Sequence, residues 1–544
     1  MPDFFSNQIK VITGWIEPNI RLWLETRQPQ MWVLATVAGL AVSVAAILFR
    51  ELIGFVQLFW LGDSSENVAS AARDLPWYMI LAGPTIGGFV VGLALYYLVP
   101  SRRTAGVADV IEARARSGSH LGMRYALTSA VITAISLGAG GSAGREGPVV
   151  HLGASLASAT GRLFRLPDWA KRTILAGGVA AAVSASFNAP IAGVLFAHEV
   201  ILGHYAMRAF VPIVLASVAG TILSRLWFGD VAAFIIPEYQ ITSFWEIPAF
   251  ALLGVVCALV SILFQVSLIS TDYVARNLKI HIILRPVIGG LAIGTIALAF
   301  PEILGVGYEA TDDALRNQLS LWLMLSLLVA KTAATAITLA SRFGGGVFSP
   351  SLYLGAMAGG AFGLIASKVF PDLASSEALY AILGMGAVAA AVLGAPISTT
   401  VMVFELTGGY ALSIALLLCV SVANGVNHAI HGHSFFQWQL EMRGLFVADG
   451  PSRHVMRAQR VRDFMVPIGE EENDKLEDPD ALPVLHPGDT LEKALRTFDS
   501  GGHERLPVVE EKAPETIVGW ADQVRALRYF NKALVEASEE EHHH

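Results

Sequence analysis

From Met31 to Cys419 the chain is a succession of apolar stretches in which charged residues are sparse. After Gly444 the pattern gives way to short alternating and helical segments of water-soluble character. An apolar run of about twenty residues is the length a helix needs to cross a bilayer core. The stretches that meet or approach this are 31–49, 77–99, 125–139, 208–227, 247–270, 283–300, 318–339 and 399–424. Between them lie apolar pieces interrupted by glycine, at 138–165, 173–197, 343–370 and 378–397. In lipid a non-helical backbone survives only where protein or a water-filled cavity satisfies its polar groups. The pattern therefore predicts an all-α polytopic membrane domain over 31–440, with broken, tilted helices and some helix ends buried at mid-depth. Residues 1–30 are mixed and amphipathic, as in a helix lying on the membrane surface. A linker at 441–460 leads to a small α+β domain at 461–541. Its strand-like runs are Ala481–Leu485, Arg505–Val509 and Thr516–Trp520, and its helical runs are Thr490–Asp499 and Gln523–Glu536. The terminal histidines 542–544 read as a tag remnant, and no cleavable signal pattern opens the chain.

An internal repeat organises the apolar part. Gly144-Arg-Glu-Gly-Pro148-Val-Val-His-Leu152-Gly-Ala154 aligns with Gly346-Val-Phe-Ser-Pro350-Ser-Leu-Tyr-Leu354-Gly-Ala356, at an offset of 202 (350 − 148). Ala189-Pro190-Ile191 with Glu199 aligns with Ala395-Pro396-Ile397 with Glu405, at 206 (396 − 190). Two homologous halves follow, about 31–230 and 245–440. The letters do not separate parallel from inverted repeats; transporter precedent favours inverted ones.

Composition sharpens the class. Of 544 residues 54% are hydrophobic and 15% charged, against about 25% charged in soluble domains. The net charge of −8 comes largely from the tail, where Glu470, Glu471, Glu472, Asp474, Glu477, Asp478 and Asp480 cluster, so it says nothing about a substrate. Nothing in the pattern points to nucleic acid. Cys257 and Cys419 both lie in apolar stretches and read as buried thiols. Arg102, Arg103, Arg114, Arg116 and Arg124 form the richest basic loop, which places it, and the tail, in the cytoplasm.

Gly144-Arg145-Glu146-Gly147-Pro148 sets two charges in an apolar region, where ionisable groups mark ion paths or buried pairs. Glycines ahead of a helix let backbone N–H groups converge, and that helix start attracts anions. Glu146 is then a carboxylate occupying an anion site, displaceable by an anion or neutralised by a proton, which is the chemistry of a gate. The plainer reading is an Arg145–Glu146 cluster that ties loops together. The second copy, Gly345-Gly346-Val347-Phe348-Ser349-Pro350, carries no acid, so the amides of Val347 and Phe348 are open to an anion; its plainer reading is a turn before a helix.

These two motifs, with Phe187-Asn188-Ala189-Pro190 to Glu199 and Ala395-Pro396 to Glu405, resemble the signature sequences of the CLC family of chloride channels and proton-coupled chloride exchangers, over about 30–440. The resemblance implies a homodimer with one anion pathway per subunit, Glu146 as gating glutamate, and an anion site lined at Gly144, Arg145, Gly147, Gly346, Val347 and Phe348. Three positions depart from the family. Its anion-binding serine falls at Ala105, its site tyrosine at Phe436, and the inner proton-handling glutamate of many exchangers at Val200. Loss of both hydroxyls leaves backbone amides as the main ligands and opens fluoride or nitrate as alternatives to chloride. Val200 argues for weak coupling, and the retained Glu146 permits it, so slow chloride/proton exchange is the expectation beside an uncoupled channel. Glu199 and Glu405 read as structural or at an interface.

The tail resembles a single CBS module, through Val461-Arg462-Asp463-Phe464-Met465, Asp489-Thr490-Leu491, Glu504-Arg505-Leu506-Pro507-Val508-Val509 and Val518-Gly519-Trp520. Such modules pair, here across a dimer, and some bind adenine nucleotides. His428, His431 and His433 offer the one alternative of another class, a membrane metalloenzyme. No glutamate base stands beside them and no HExxH pattern occurs, so a solvated helix end is the better account. No cofactor or metal is expected, and the expected location is the plasma (inner) membrane.

Overall fold

A computed structural model describes residues 16, 28–115, 120–229, 234, 244–371, 374–407, 412–445, 456, 459–468, 483–510 and 513–542. The expected surface helix at 1–30, the acidic tail cluster, most of the linker and the last two histidines lie outside these, apart from Ile16 and the residues from Gln28 on. The chain divides into two compact units, Met1–Phe436 and Gln437–His544.

The first unit is built of helices joined by loops. Its first half contains α1 (Gln28–Leu61), α2 (Val68–Arg73), α3 (Trp77–Leu98), α4 (Val107–Ala115), α5 (Met123–Gly138), α6 (Glu146–Leu163), α7 (Asp168–Phe187), α8 (Pro190–Phe196, continued as a π-helical turn Ala197–Leu202) and α9 (Met207–Phe228). The second half contains α10 (Ile247–Asn277), α11 (Leu284–Ala299), α12 (Tyr308–Leu315), α13 (Leu321–Ala340), α14 (Phe348–Val369), α15 (Glu377–Leu393), α16 (Pro396–Thr407) and α17 (Ser413–Ile430), and α18 (Phe435–Glu441) follows. Among the described residues seven helical stretches are long and apolar enough to cross a membrane.

Several expected boundaries change, each for a physical reason. The span at 31–49 runs on to Leu61, because Arg50 does not end it: its guanidinium lies over the Phe228 ring at 4.0 Å and pairs with Glu66 at 3.1 Å. The span at 399–424 is two helices, α16 and α17, and the sequence between them carries Gly408-Gly409, each glycine costing a helix about 1 kcal/mol relative to alanine. In the opposite sense, Gly177-Gly178 and Gly384 do not break α7 or α15. Those helices end instead at Asn188 and Gly394, both in the left-handed conformation (φ 57° and 69°). Cys257 and Cys419 are free and buried, as expected.

The two halves interlock by reciprocal contacts, the mark of a local two-fold axis. Gly144 and Gly346 exchange both backbone hydrogen bonds, each 2.7 Å. On α3, Gly88 packs against the carbonyl of Pro286 on α11, while Gly290 on α11 packs against the carbonyl of Pro84 on α3. The partners stand at the repeat offset of 202, and a β-carbon at either glycine would collide with backbone. Glu199 accepts from the N–H groups of Ile397 (3.0 Å) and Ser398 (2.7 Å) at the start of α16. Glu405 accepts from Ile191 (3.0 Å) and Ala192 (2.7 Å) at the start of α8. Each acid thus caps the proline-initiated helix of the other half, which agrees with the structural reading of both.

The second unit holds a helical turn α19 (Val461–Phe464), β1 (Val466–Pro467), α20 (Leu491–Gly501), β2 (Arg505–Glu510), β3 (Ala513–Asp522) and α21 (Gln523–His542). The antiparallel sheet has the order β1-β3-β2. Val461, Phe464, Leu485, Leu491, Phe498, Leu506 and Val508 form its core. The expected strand at 481–485 contributes one bridge, Leu485 to Val508, and β1 was not anticipated.

Candidate anion site

The site forms where three helices begin. A β-carbon on Gly147, in the first turn of α6, would stand 3.5 Å from the Cα of Gly346 and 3.9 Å from that of Gly106. Gly346 precedes α14 and Gly106 precedes α4, so the starts of α4, α6 and α14 converge on one point. The first N–H groups of a helix have no intrahelical partner and carry its positive dipole end. Pro148 and Pro350 sit in the first turns, where a missing N–H loses no hydrogen bond. Close approach of three backbones is what the glycines supply; a side chain at 144, 147 or 346 would fill the space.

Glu146 is 2% exposed, and its Oε1 accepts from the Ser349 hydroxyl in the first turn of α14. The Tyr308 hydroxyl, at the start of α12, donates to the same oxygen over 3.4 Å. Oε2 has no hydrogen-bond partner among the described residues and lies where a β-carbon on Gly144 would be. The carboxylate is therefore seated across the joint between the two halves, held by one firm and one loose donor. Such a group can leave its seat, on protonation or under competition from another anion.

Arg145 does not pair with Glu146. Its guanidinium bonds Glu66 at 2.5 Å and the Ser186 carbonyl at 3.4 Å, and lies 5.0 Å from the Tyr308 ring centroid. It ties the loop of Glu66 to the end of α7 and keeps a positive charge beside Glu146. Arg145 and Arg50 together hold the half-exposed Glu66 carboxyl below the usual range. The loop ahead of α12 is anchored by Lys331, fully buried on α13, whose Nζ donates to the carbonyls of Ile303 and Gly305 at 3.0 Å each. That anchoring places Tyr308.

Gly144, Glu146, Gly147, Gly346, Val347 and Phe348 lie together, with Val347 and Phe348 buried. The Phe348 ring packs 4.9 Å from Phe187 and 6.1 Å from Phe196. Ala105 is buried next to Gly106, its N–H bonded to Ser129 Oγ at 2.8 Å. Phe436 is buried at the start of α18, with its described ring contact to Phe435, and Val200 lies in the π-helical turn after Phe196. Neither is joined to the glycine cluster by a described contact. Sequence reasoning missed three participants. Ser349 was inside a quoted motif and carried a signal in its hydroxyl. Tyr308 follows Gly305-Val-Gly307 but stands far off in the chain, and Glu66 gave no signal at all. Among the described residues no cluster of His, Cys, Asp and Glu large enough to hold a metal occurs, and His431 Nδ1 contacts the His433 carbonyl at 3.0 Å.

The profile of the voltage gated chloride channel family matches residues 87–428. A protein named as chloride channel protein ClcB-like, from Ralstonia nicotianae, is 32% identical over 411 residues, 75% of this chain and 95% of the relative. The crystal structure of a slow cyanobacterial Cl−/H+ antiporter superposes with a TM-score of 0.69 at 26% identity, covering 76% of this chain and 98% of the other. A CLC-type fluoride/proton antiporter superposes with a TM-score of 0.63 at 21% identity, covering 76% and 98%, a likeness of fold alone.

Proposed function

Since the chain belongs to the voltage-gated chloride channel family, of CLC-type anion transporters, we propose that it carries chloride by slow exchange for protons, with Glu146 as the gate. The observation that carries this is the seated Glu146 carboxylate at the meeting of three helix starts, with one oxygen held by Ser349 and the other without a partner among the described residues. A carboxylate is itself an anion, so it takes the place that a transported anion would take. Protonation neutralises it and frees the amides around Val347 and Phe348 for chloride; return of the carboxylate expels the chloride. One proton and one anion then use the same seat in alternation, which is the elementary requirement of exchange. Arg145, tied to Glu66, supplies standing positive charge that draws anions toward the seat.

The second reading, uncoupled conduction, rests on Val200, an apolar side chain where many exchangers of the family carry an inner acid. We further read the protein as a homodimer in the plasma membrane with its tail on the cytoplasmic side. The domain limits are those set out from the sequence, and the tail is a CBS-like pairing module with an adenine nucleotide as its candidate ligand. The decisive experiment is paired chloride and proton flux from the purified protein in liposomes, compared with Glu146→Gln. Wild type should drive protons uphill on a chloride gradient. The variant should pass chloride with no proton movement and no response to external pH. An unchanged pH response in Glu146→Gln would sink the gate assignment; chloride flux without protons in wild type would leave the conducting reading.

A further inference from the structure

On the exchange reading protons must also reach Glu146 from the inner side, and Val200 can carry none there. The interior contains a group that can. His151 lies five residues beyond Glu146 on α6, about 7.5 Å along the helix axis. It is 1% exposed, and neither ring nitrogen has a hydrogen-bond partner among the described residues. Buried polar groups are almost always bonded, so an imidazole with two idle nitrogens asks for a chemical reason. Its surroundings point toward water. The ring stands edge-on to Tyr125 of α5 at 5.8 Å, and the Tyr125 hydroxyl donates to the Arg103 carbonyl at 3.0 Å. Arg103 pairs with Asp109 at 2.6 Å, in a bridge whose side chains are 34% and 12% exposed. Asp109 also accepts from the Gly106 N–H at 2.9 Å, next to the Ala105 loop at the anion site. Asp109 and Arg103, from α4 and the loop before it, are the charges that act on His151, and the described parts of α1, α5, α7 and α14 add none. Farther along α6, Arg162 donates to the Leu121 carbonyl in the arginine-rich loop, so the helix runs from the gate toward that basic side.

We propose that His151 is the inner proton-transfer residue of this chain, placed beyond Glu146 on α6 and beside Tyr125 of the Arg103–Asp109–Tyr125 cluster. The inference rests on the exchange reading above. A neutral ring takes a proton at one nitrogen from water beside that cluster and becomes imidazolium. It then gives a proton, through water spanning the distance along α6, to the Glu146 carboxylate. The ring returns to neutral, Glu146 becomes the uncharged acid, and chloride moves the other way. Nothing is oxidised or reduced, and water is the only other carrier.

The test is chloride-driven proton pumping in liposomes by the full chain, for wild type, His151→Gln and His151→Ala, and for His151→Gln combined with Val200→Glu. Loss of a positioned proton carrier should lower the proton flux by about 100-fold or more while chloride flux persists. The added acid at 200 should restore protons to the Gln variant. A proton-to-chloride ratio equal to wild type in both single variants overturns the assignment and leaves exchange standing. Loss of both fluxes, or of the fold, in both variants makes His151 a packing residue and also overturns it. Absence of proton movement in wild type removes the exchange reading itself, and the inference with it.

Discussion

Gly144→Ala is the sharpest probe of the seat, because it leaves the acid in place and removes only its room. The added methyl would collide with Glu146 Oε2 and stand 3.2 Å from both the Gly346 carbonyl oxygen and the Ser349 nitrogen. Both are backbone atoms, one held in the Gly144–Gly346 bridge and the other in the first turn of α14, so the carboxylate is the part that yields. Overpacking of this kind costs about 1–3 kcal/mol. Displacement also forfeits the Ser349 hydroxyl bond to a charged oxygen, about 1.5–3 kcal/mol. A combined effect of about 3 kcal/mol on the seated state corresponds to roughly 2 pH units, at about 1.4 kcal/mol per unit. The sign follows from which form is destabilised. On the proposed gating the seated, ionised carboxylate is the closed form, so weakening it should let protonation open the path at higher pH. Chloride flux measured in liposomes from pH 4 to 9 should show its midpoint moved to the alkaline side by about that amount, with substantial flux at pH 7.5 where wild type is slow. Thermal denaturation in detergent separates gate displacement from loss of fold. A midpoint that stays put, or moves to the acid side, in a protein of wild-type melting temperature would refute the seat as described.

Further outcomes can be measured on the same preparation. Glu199→Ala and Glu405→Ala each remove two charge-assisted bonds to backbone N–H groups at a helix start, partly screened by solvent, so each should destabilise the membrane unit by about 2–4 kcal/mol. Equal losses from the two halves are expected from their reciprocal geometry, and a melting temperature unchanged in either would show that the cap is not stabilising. In the tail, Phe498→Ala opens the core around Leu491, Leu506 and Val508 and should cost about 3–5 kcal/mol, read by proteolysis of the tail; wild-type resistance would contradict the packing.

Much of this protein was set by the order of its residues alone. The apolar runs fixed the class, since no soluble fold tolerates them, and the twin motifs around Pro148 and Pro350 declared two related halves and an acid at one helix start. Those are local properties: hydropathy, proline and glycine act on the backbone within a few residues. What the tertiary structure decided is everything that depends on two distant segments meeting. Glycine-rich α7 and α15 run unbroken because their small residues serve close packing between helices, a use that the letters share with chain breaks. Ser349 and Tyr308 reach Glu146, and Glu66 takes Arg145, across separations of 203, 162 and 79 residues. Such pairings cannot be read from spacing, because the fold, and not the chain, sets which helix starts converge.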